Sequence, residues 1–245
     1  MDASALRPLS LGEILDVSFG LYRSRFSNLL TVALATQAVP LLLEVYVESA
    51  GGVNEHPFFW LGVRILTVVT GTIGTAASTF IVSDSYLGRE SGAGAALARA
   101  MPLVGTLIGV SIMVGFLVAV GFILLIVPGC IVLGGLAVSS VAAVVESPIQ
   151  ASAALGRSWS LTQGFRGKVF LTMFTGFFLL VLPSVALAVL AGGAEGSLLW
   201  RGIEALLQVL AYPFLYVVTT VLYYDLRVRK EGFDLELLAS TLQPV

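Results

Sequence analysis

Charged side chains are scarce in this 245-residue chain: they make up 11% of all residues, whereas 57% are hydrophobic. A soluble domain ordinarily devotes about 25% of its residues to Asp, Glu, Lys and Arg, which cover its surface. The run from Ala100 to Val145 contains no charged residue, and one membrane crossing takes about 20 residues. The composition therefore excludes a soluble enzyme, a nucleic-acid-binding domain and a disordered chain, and it predicts an integral membrane protein.

Histidine and cysteine occur once each, as His56 and Cys130. One cysteine excludes an intrachain disulfide and a cysteine-rich metal site. Zinc sites draw on several converging ligands, and Ser-His or Cys-His catalysis needs an imidazole beside the nucleophile. His56 lies between two apolar runs and fits an ordinary loop residue. We therefore expect no metal site, no cofactor and no catalytic residue.

Six apolar runs are long enough to be candidate membrane spans, at residues 26–47, 58–82, 103–127, 130–145, 169–191 and 198–224. The third and fourth are separated only by Pro128 and Gly129, a pair that predicts a tight turn. The predicted fold class is an all-α polytopic membrane protein, with residues 1–245 forming a single membrane domain.

Positive charges predict the orientation, because cytoplasmic loops are enriched in Lys and Arg. Only Arg64 and Arg201 fall on the side opposite the termini. The remaining bases share the side of the termini: Arg7, Arg23, Arg25, Arg89, Arg99, Arg157, Arg166, Lys168, Arg227, Arg229 and Lys230. We therefore expect a bacterial plasma-membrane protein with both termini in the cytoplasm.

Short amphipathic helices are predicted on the cytoplasmic side, at about residues 10–25, 91–101, 147–163 and 234–242. Ser10 and Glu13 fit a capping box at the start of the first. The second contains AALARA at residues 95–100 and the third AALGRS at residues 153–158, each shortly after a Glu-Ser pair. This pattern suggests three copies of an interfacial helix followed by a transmembrane hairpin, arranged as parallel repeats.

Charges inside a span cost about 2.5 to 3.5 kcal/mol each, so they are the first candidates for function. Glu44, Arg64, Arg201 and Glu204 fall at a similar depth near the outer leaflet. Glu44 and Arg64 are the pair expected to meet. The cluster is interpreted either as a polar vestibule for a solute, or as a structural ion pair whose side chains reach the outer interface.

Proline interrupts three of the candidate spans, at Pro40, Pro183 and Pro213. Each proline removes a backbone donor and can kink its helix, a device that transporters use at binding sites. No charged residue lies near the midplane beside these breaks, so the sequence favours transport less than a structural role.

The predicted cytoplasmic rim combines bases with aromatic side chains, as expected at the headgroup level. Asp225 lies among these bases and should pair with Arg227, Arg229 or a base from another helix. The candidate lipid or partner contacts on this rim are Arg157, Trp159, Arg166, Lys168, Asp225, Arg227, Arg229 and Lys230.

Four stretches are recognisable together: RPLSLGEILDVSFGLYRSRF at residues 7–26, IVPG at 126–129, ESPIQASAALGRSWSLTQGF at 146–165 and LYYDLRVRKEGFDLELL at 222–238. With them the chain resembles the bacterial multispan family named for the membrane domain of glycerophosphoryl diester phosphodiesterase. In some relatives this domain is fused to a catalytic domain. The resemblance implies membrane association near lipid metabolism. It does not imply catalysis here, because such chemistry needs histidines and metal-binding acids.

The sequence thus predicts a non-enzymatic membrane module whose partners are membrane lipids or another membrane or cytoplasmic protein, and not nucleic acid. The alternative is a small transporter or channel for a solute or lipid, supported by the broken spans and by the charges near the outer leaflet.

Overall fold

The structure is a computed structural model that describes residues 7–191 and 198–235. All regular elements among these residues are helices, and none is a strand. Their bounds are α1 Leu11–Ser24, α2 Phe26–Ser49, α3 Gly52–Glu55, α4 Pro57–Tyr86, α5 Ala93–Ala100, a 3₁₀ turn Met101–Leu103, α6 Val104–Leu124, α7 Ile126–Leu136, α8 Ser139–Val145, α9 Ala151–Thr162, α10 Arg166–Ala191 and α11 Leu198–Glu231.

Five stretches of these helices are long and apolar enough to cross a membrane: Phe26–Ser49, Pro57–Tyr86, Ala93–Leu124, Ile126–Val145 and Gly202–Glu231. The prediction of an all-α multispan protein is therefore confirmed, whereas the count of five differs from the predicted six. The remaining predicted span, residues 169–191, lies within α10, a continuous helix of 26 residues. Several side chains of α10, including that of Pro183, lie outside the described set.

The chain does not reverse at Pro128 and Gly129, so the predicted turn is wrong. Helix α6 ends at Leu124, Leu125 is extended (φ −170°, ψ 160°), and α7 begins at Ile126. Pro128 is the third residue of α7, where the backbone nitrogen has no partner within the helix and proline removes no bond, and the Gly129 amide donates to the Leu125 carbonyl at 3.1 Å. The third predicted span therefore ends earlier, and the fourth starts earlier, than the sequence indicated.

Three short helices occupy the positions predicted for interfacial helices. Helix α1 starts with the predicted capping box between Ser10 and Glu13, which the structure confirms. Helix α5 lies within the predicted 91–101. Helix α9 begins at Ala151, later than the predicted 147, because the residue before Pro148 is disfavoured in helical conformation. Of the last predicted helix, 234–242, the structure describes residues 234 and 235, which are helical. The rest of that range lies outside the described residues.

The short helices pack into the bundle through pairs of buried side chains one turn apart. Ser18, Ala100 and Ser158 are fully buried, and each lies four residues after another fully buried residue of its own helix. Helix α1 packs chiefly on α11, α5 on α4, and α9 on α6, α7 and α8. The core is continuous with them and centres on the final turns of α4 and α11.

Candidate functional site

The predicted outer ion pair forms between α2 and α4. Arg64 Nη1 lies 3.0 Å from Glu44 Oε1, and Thr67 Oγ1 donates to the same carboxylate oxygen at 2.9 Å. The Arg64 side chain is 44% exposed and that of Glu44 is 18% exposed. The Arg64 guanidinium also lies over the Trp60 ring, 5.1 Å from its centroid. Arg64 is thus held by an acid and an aromatic ring, and the rest of its side chain is exposed.

A cavity of about 110 Å³ adjoins this pair, between α2, α4 and α11. Glu44, Glu48, Arg64, Glu204 and Gln208 contribute its polar lining, so three carboxylates face one described base. We call these five residues the acidic pocket. The side chain of Arg201, the fourth residue predicted here, lies outside the described set.

Glu48 is the member of the acidic pocket that sequence reasoning missed. It accepts a hydrogen bond from Trp60 Nε1 at 3.3 Å, just as Glu204 accepts one from Trp200 Nε1 at 2.9 Å. Its spacing was the available signal, because Glu48 follows Glu44 by four residues and so shares its helix face.

Further along the same three helices lies a cavity of only about 10 Å³, lined in part by Thr36, Gln37, Ser78, Tyr212 and Tyr216. A cavity of this size holds at most one water molecule. This small cavity lies next to Pro213, one of the predicted helix breaks, and shares no lining residue with the acidic pocket.

The partners of Asp225 lie on two helices and on the N-terminal segment, and they include the predicted Arg229 and a base from another helix, Lys168. The Asp225 side chain is fully buried; Lys168 Nζ lies 2.5 Å from Oδ2 and Arg229 Nε 3.0 Å from the same oxygen. The backbone amide of Leu9 donates to Oδ1 at 2.7 Å. Lys168 and Arg229 each donate to the Leu9 carbonyl at 2.6 Å. We call Leu9, Lys168, Asp225 and Arg229 the Asp225 cluster.

A second cluster joins α9 to Glu146, which directly follows α8, and to the end of α11. Arg157 Nε donates to Glu146 Oε1 at 2.6 Å, Tyr223 donates to the same oxygen at 2.6 Å, and Arg157 also pairs with Glu231. Arg227 Nε lies 3.0 Å from Glu231 Oε2. The hydrogen bond to Glu231, supported by Glu146, raises the pKa of Arg157 above its usual value, so this guanidinium stays charged. We call these residues the Glu146 cluster.

Asp84 forms a third charged cluster that sequence reasoning did not predict. Arg99 Nη1 donates to Asp84 Oδ2 at 2.7 Å, and Arg89 Nε lies 3.7 Å from Oδ1. The available signal was the match of AALARA to AALGRS, which places Arg99 and Arg157 at equivalent positions. Each of these two arginines pairs with the acid that follows the preceding predicted span: Arg99 with Asp84 and Arg157 with Glu146.

Two rim bases make no ion pair within the described part of the chain, Arg166 and Lys230. The Arg166 guanidinium lies 3.7 Å from the centroid of the Trp159 ring, and its buried Nε has no hydrogen-bond partner. Lys230 is exposed, with Nζ 5.9 Å from the centroid of Phe165. The predicted rim residues therefore divide into bases fixed by acids and bases that contact aromatic rings alone. We call Trp159, Phe165, Arg166 and Lys230 the aromatic-basic patch.

Within the described ranges, no group of three or more His, Cys, Asp or Glu side chains converges in a way that could hold a metal ion. Comparison of the chain with protein-family models, with curated proteins and with solved structures finds no match. The three charged clusters, the aromatic-basic patch and the acidic pocket therefore supply the arguments on function.

Proposed function

We propose that the chain is a non-enzymatic, multi-pass membrane module that associates with membrane lipids through the rim on which its bases and aromatic residues are concentrated. The observation that carries this proposal is the construction of the rim. The Asp225 and Glu146 clusters tie the N-terminal segment, α9, α10 and α11 together, so the aromatic-basic patch rests on a fixed support. Each base near an anionic leaflet adds about 1 kcal/mol of attraction.

The resemblance to the glycerophosphoryl diester phosphodiesterase membrane-domain family supports the same proposal. That resemblance implies a role near lipid metabolism, and two of the stretches that carry it, residues 146–165 and 222–238, contain rim residues such as Trp159 and Arg229. Phosphodiester hydrolysis is not part of the proposal, because His56 is the sole histidine of the sequence and the reaction needs acid and base groups around a metal.

Transport of a small solute is the rival function, and the acidic pocket is the observation that favours it. Three carboxylates around one described base would attract a cation. A further cavity between α2, α4 and α11 is only about 10 Å³, enough for a single water molecule. Because this cavity shares no lining residue with the acidic pocket, the two do not define a solute path, and we favour the lipid-associated module over the transporter.

Thermal denaturation in a mild detergent tests the lipid proposal, because a ligand that binds the folded state raises the melting temperature. We expect phosphatidylglycerol to raise the melting temperature more than phosphatidylcholine with the same acyl chains. Equal effects of the two lipids would reject association with anionic lipid and would favour a protein partner. Uptake of a cationic solute by reconstituted vesicles, lost in a Glu44→Gln variant, would support the rival instead.

A further inference from the structure

A large apolar groove lies beside the aromatic-basic patch. Its volume is about 560 Å³, and residues of α6, α7, α10 and α11 line it. Its lining includes Phe170, Phe174 and Phe177 of α10 and small residues such as Gly115 and Gly134. The size falls within the range of pockets that bind small molecules, and the lining suits a hydrocarbon chain.

The groove and the patch meet at the start of α10. The Arg166 carbonyl lies so close to Gly134 that a β-carbon there would be 3.2 Å from its oxygen, and Phe170 follows Arg166 by one helical turn. A second apolar cavity, of about 360 Å³, is lined by Trp159 and shares Leu136 with the groove. The Trp159 and Arg166 pair therefore stands next to both apolar spaces.

Arg166 has no acid partner among the described residues, so an anionic group of a ligand could pair with it. Apart from Lys230, the other bases of α9, α10 and the end of α11 form ion pairs with acids of the Asp225 and Glu146 clusters. Arg166 instead has a buried Nε without an acceptor, and burying an unpaired charged donor is costly. The side chain as a whole is only half-buried, so a phosphate at its accessible part would supply the missing counter-charge, since guanidinium and phosphate form strong hydrogen bonds.

We infer that this place binds one anionic phospholipid, with an acyl chain in the groove between α6, α7 and α10 and the phosphate at Arg166 beside Trp159. The inference rests on the proposed lipid association and names its site. The groove supplies the apolar surface, and the Arg166 guanidinium, which has no acid partner in the described chain, selects the charged headgroup. Trp159, which is 40% exposed, lies at the boundary between them, as tryptophan does in membrane interfaces.

Quenching of Trp159 fluorescence by lipids with brominated acyl chains tests the site. Trp60→Phe and Trp200→Phe leave Trp159 as the single reporter, and phosphatidylglycerol is titrated against a phosphatidylcholine background. We expect saturable quenching whose apparent affinity falls about tenfold in Arg166→Gln, the loss typical of one charge-assisted contact. Arg166→Lys should restore most of the affinity.

Arg23→Gln is the matched control for charge, because Arg23 is an exposed base for which the structure shows no ion pair. It removes the same charge from the same predicted face and should lower the affinity less than Arg166→Gln does, by no more than the general attraction of one base to an anionic surface. Equal losses in Arg166→Gln and Arg23→Gln would show attraction to the surface as a whole and would overturn the proposed site.

Gly115→Leu tests the groove, since a β-carbon at Gly115 meets no atom within 4 Å and the added side chain can enter the open space. Gly105→Leu is the matched control: it lies on the same helix, is equally unobstructed, and does not line the groove. We expect Gly115→Leu alone to reduce quenching.

Lipid retention measured by native mass spectrometry on the wild-type chain repeats the comparison without the tryptophan replacements. If phosphatidylglycerol raises the melting temperature but neither Arg166→Gln nor Gly115→Leu changes binding, the lipid association stands and this site is wrong. If no lipid dependence exists at all, both proposals fail.

Discussion

Single buried charges organise the rim of this protein, and Asp225 is the most constrained of them. Its carboxylate receives Lys168, Arg229 and the Leu9 amide while its side chain is fully buried. A buried carboxylate is stable only when its hydrogen-bonding capacity is filled, and here two bases and a backbone donor fill it. The same residues fix Leu9, so the path of the chain into α1 depends on one side chain of α11.

Asp225→Asn should be strongly destabilising. The substitution keeps the shape of the side chain but leaves Lys168 and Arg229 without their counter-charge, and breaking a buried pair in this way costs about 3 to 5 kcal/mol. Thermal denaturation in detergent measures the effect. Glu90→Gln is the control: Glu90 is 88% exposed and lies 3.7 Å from Arg25, so its loss should change stability by less than about 0.5 kcal/mol. Equal effects would contradict the assigned role of Asp225.

The outer pair of Glu44 and Arg64 should behave as a coupled unit. Arg64→Gln leaves Glu44 with no base among the described lining of the acidic pocket, whereas Glu44→Gln frees a base that is already partly exposed. We expect the double variant to be more stable than the sum of the two single effects predicts, by about 0.5 to 1 kcal/mol. Strict additivity in the same denaturation assay would show that the pair makes no net contribution.

Sequence reasoning identified contacts between side chains at these sites better than contacts with the backbone. The meeting of Glu44 and Arg64 followed from equal depth on neighbouring helices, and an acid among bases indicated that Asp225 would be paired. The capture of Leu9 by Asp225 could not be predicted, because a backbone amide carries no signature in its residue type. Arg166 also appeared as an ordinary rim base, since only the packing shows which bases have acids within reach.

At the scale of helices, the ends of α1 and α7 show opposite outcomes of sequence reasoning. The start of α1 was predicted correctly because Ser10 and Glu13 satisfy backbone donors through contacts three residues apart. Pro128 and Gly129 led to the wrong prediction of a turn, because a Pro-Gly pair is compatible both with a turn and with the first turn of a helix. Close packing decided the matter: a β-carbon on Gly121 would lie 3.0 Å from the Gly129 Cα, so the hairpin closes just before Ile126.

The start of α1 should lose stability in acid. The hydrogen bond from Arg7, supported by the backbone and hydroxyl of Ser10, lowers the pKa of Glu13 to about 2. Because the folded-state pKa lies below the ordinary glutamate value of 4.5, the stabilisation is complete above that value and is lost as the pH falls toward about 2. Circular dichroism or denaturation across this window measures it. Glu13→Gln should flatten the dependence and Arg7→Gln should reduce it, whereas an unchanged profile in both variants would refute the assignment.

Across the whole molecule, residues that were predicted to lie on the same side of the membrane contact one another. Arg25 bonds to Ser85 at 3.0 Å, Leu9 to Asp225, and Arg157 to Glu146 and Glu231, which joins all the predicted cytoplasmic segments. The acidic pocket likewise gathers residues predicted near the outer leaflet. Arg99 and Arg157 hold equivalent positions in two of the three predicted units and each pairs with an acid, whereas the threefold repeat itself stays a prediction.

The orientation itself is the whole-molecule prediction, and the single cysteine makes it testable. In a Cys130→Ser background, Asn54→Cys places a thiol in the predicted outer segment and Gly94→Cys places one in the predicted cytoplasmic segment. Both positions are exposed, and a β-carbon at Gly94 meets no atom within 4 Å. In intact bacterial spheroplasts, a membrane-impermeant maleimide should label Asn54→Cys and leave Gly94→Cys unlabelled until the membrane is opened. The reverse pattern would place the aromatic-basic patch on the outer leaflet, away from the positive-inside bias from which both termini were assigned to the cytoplasm.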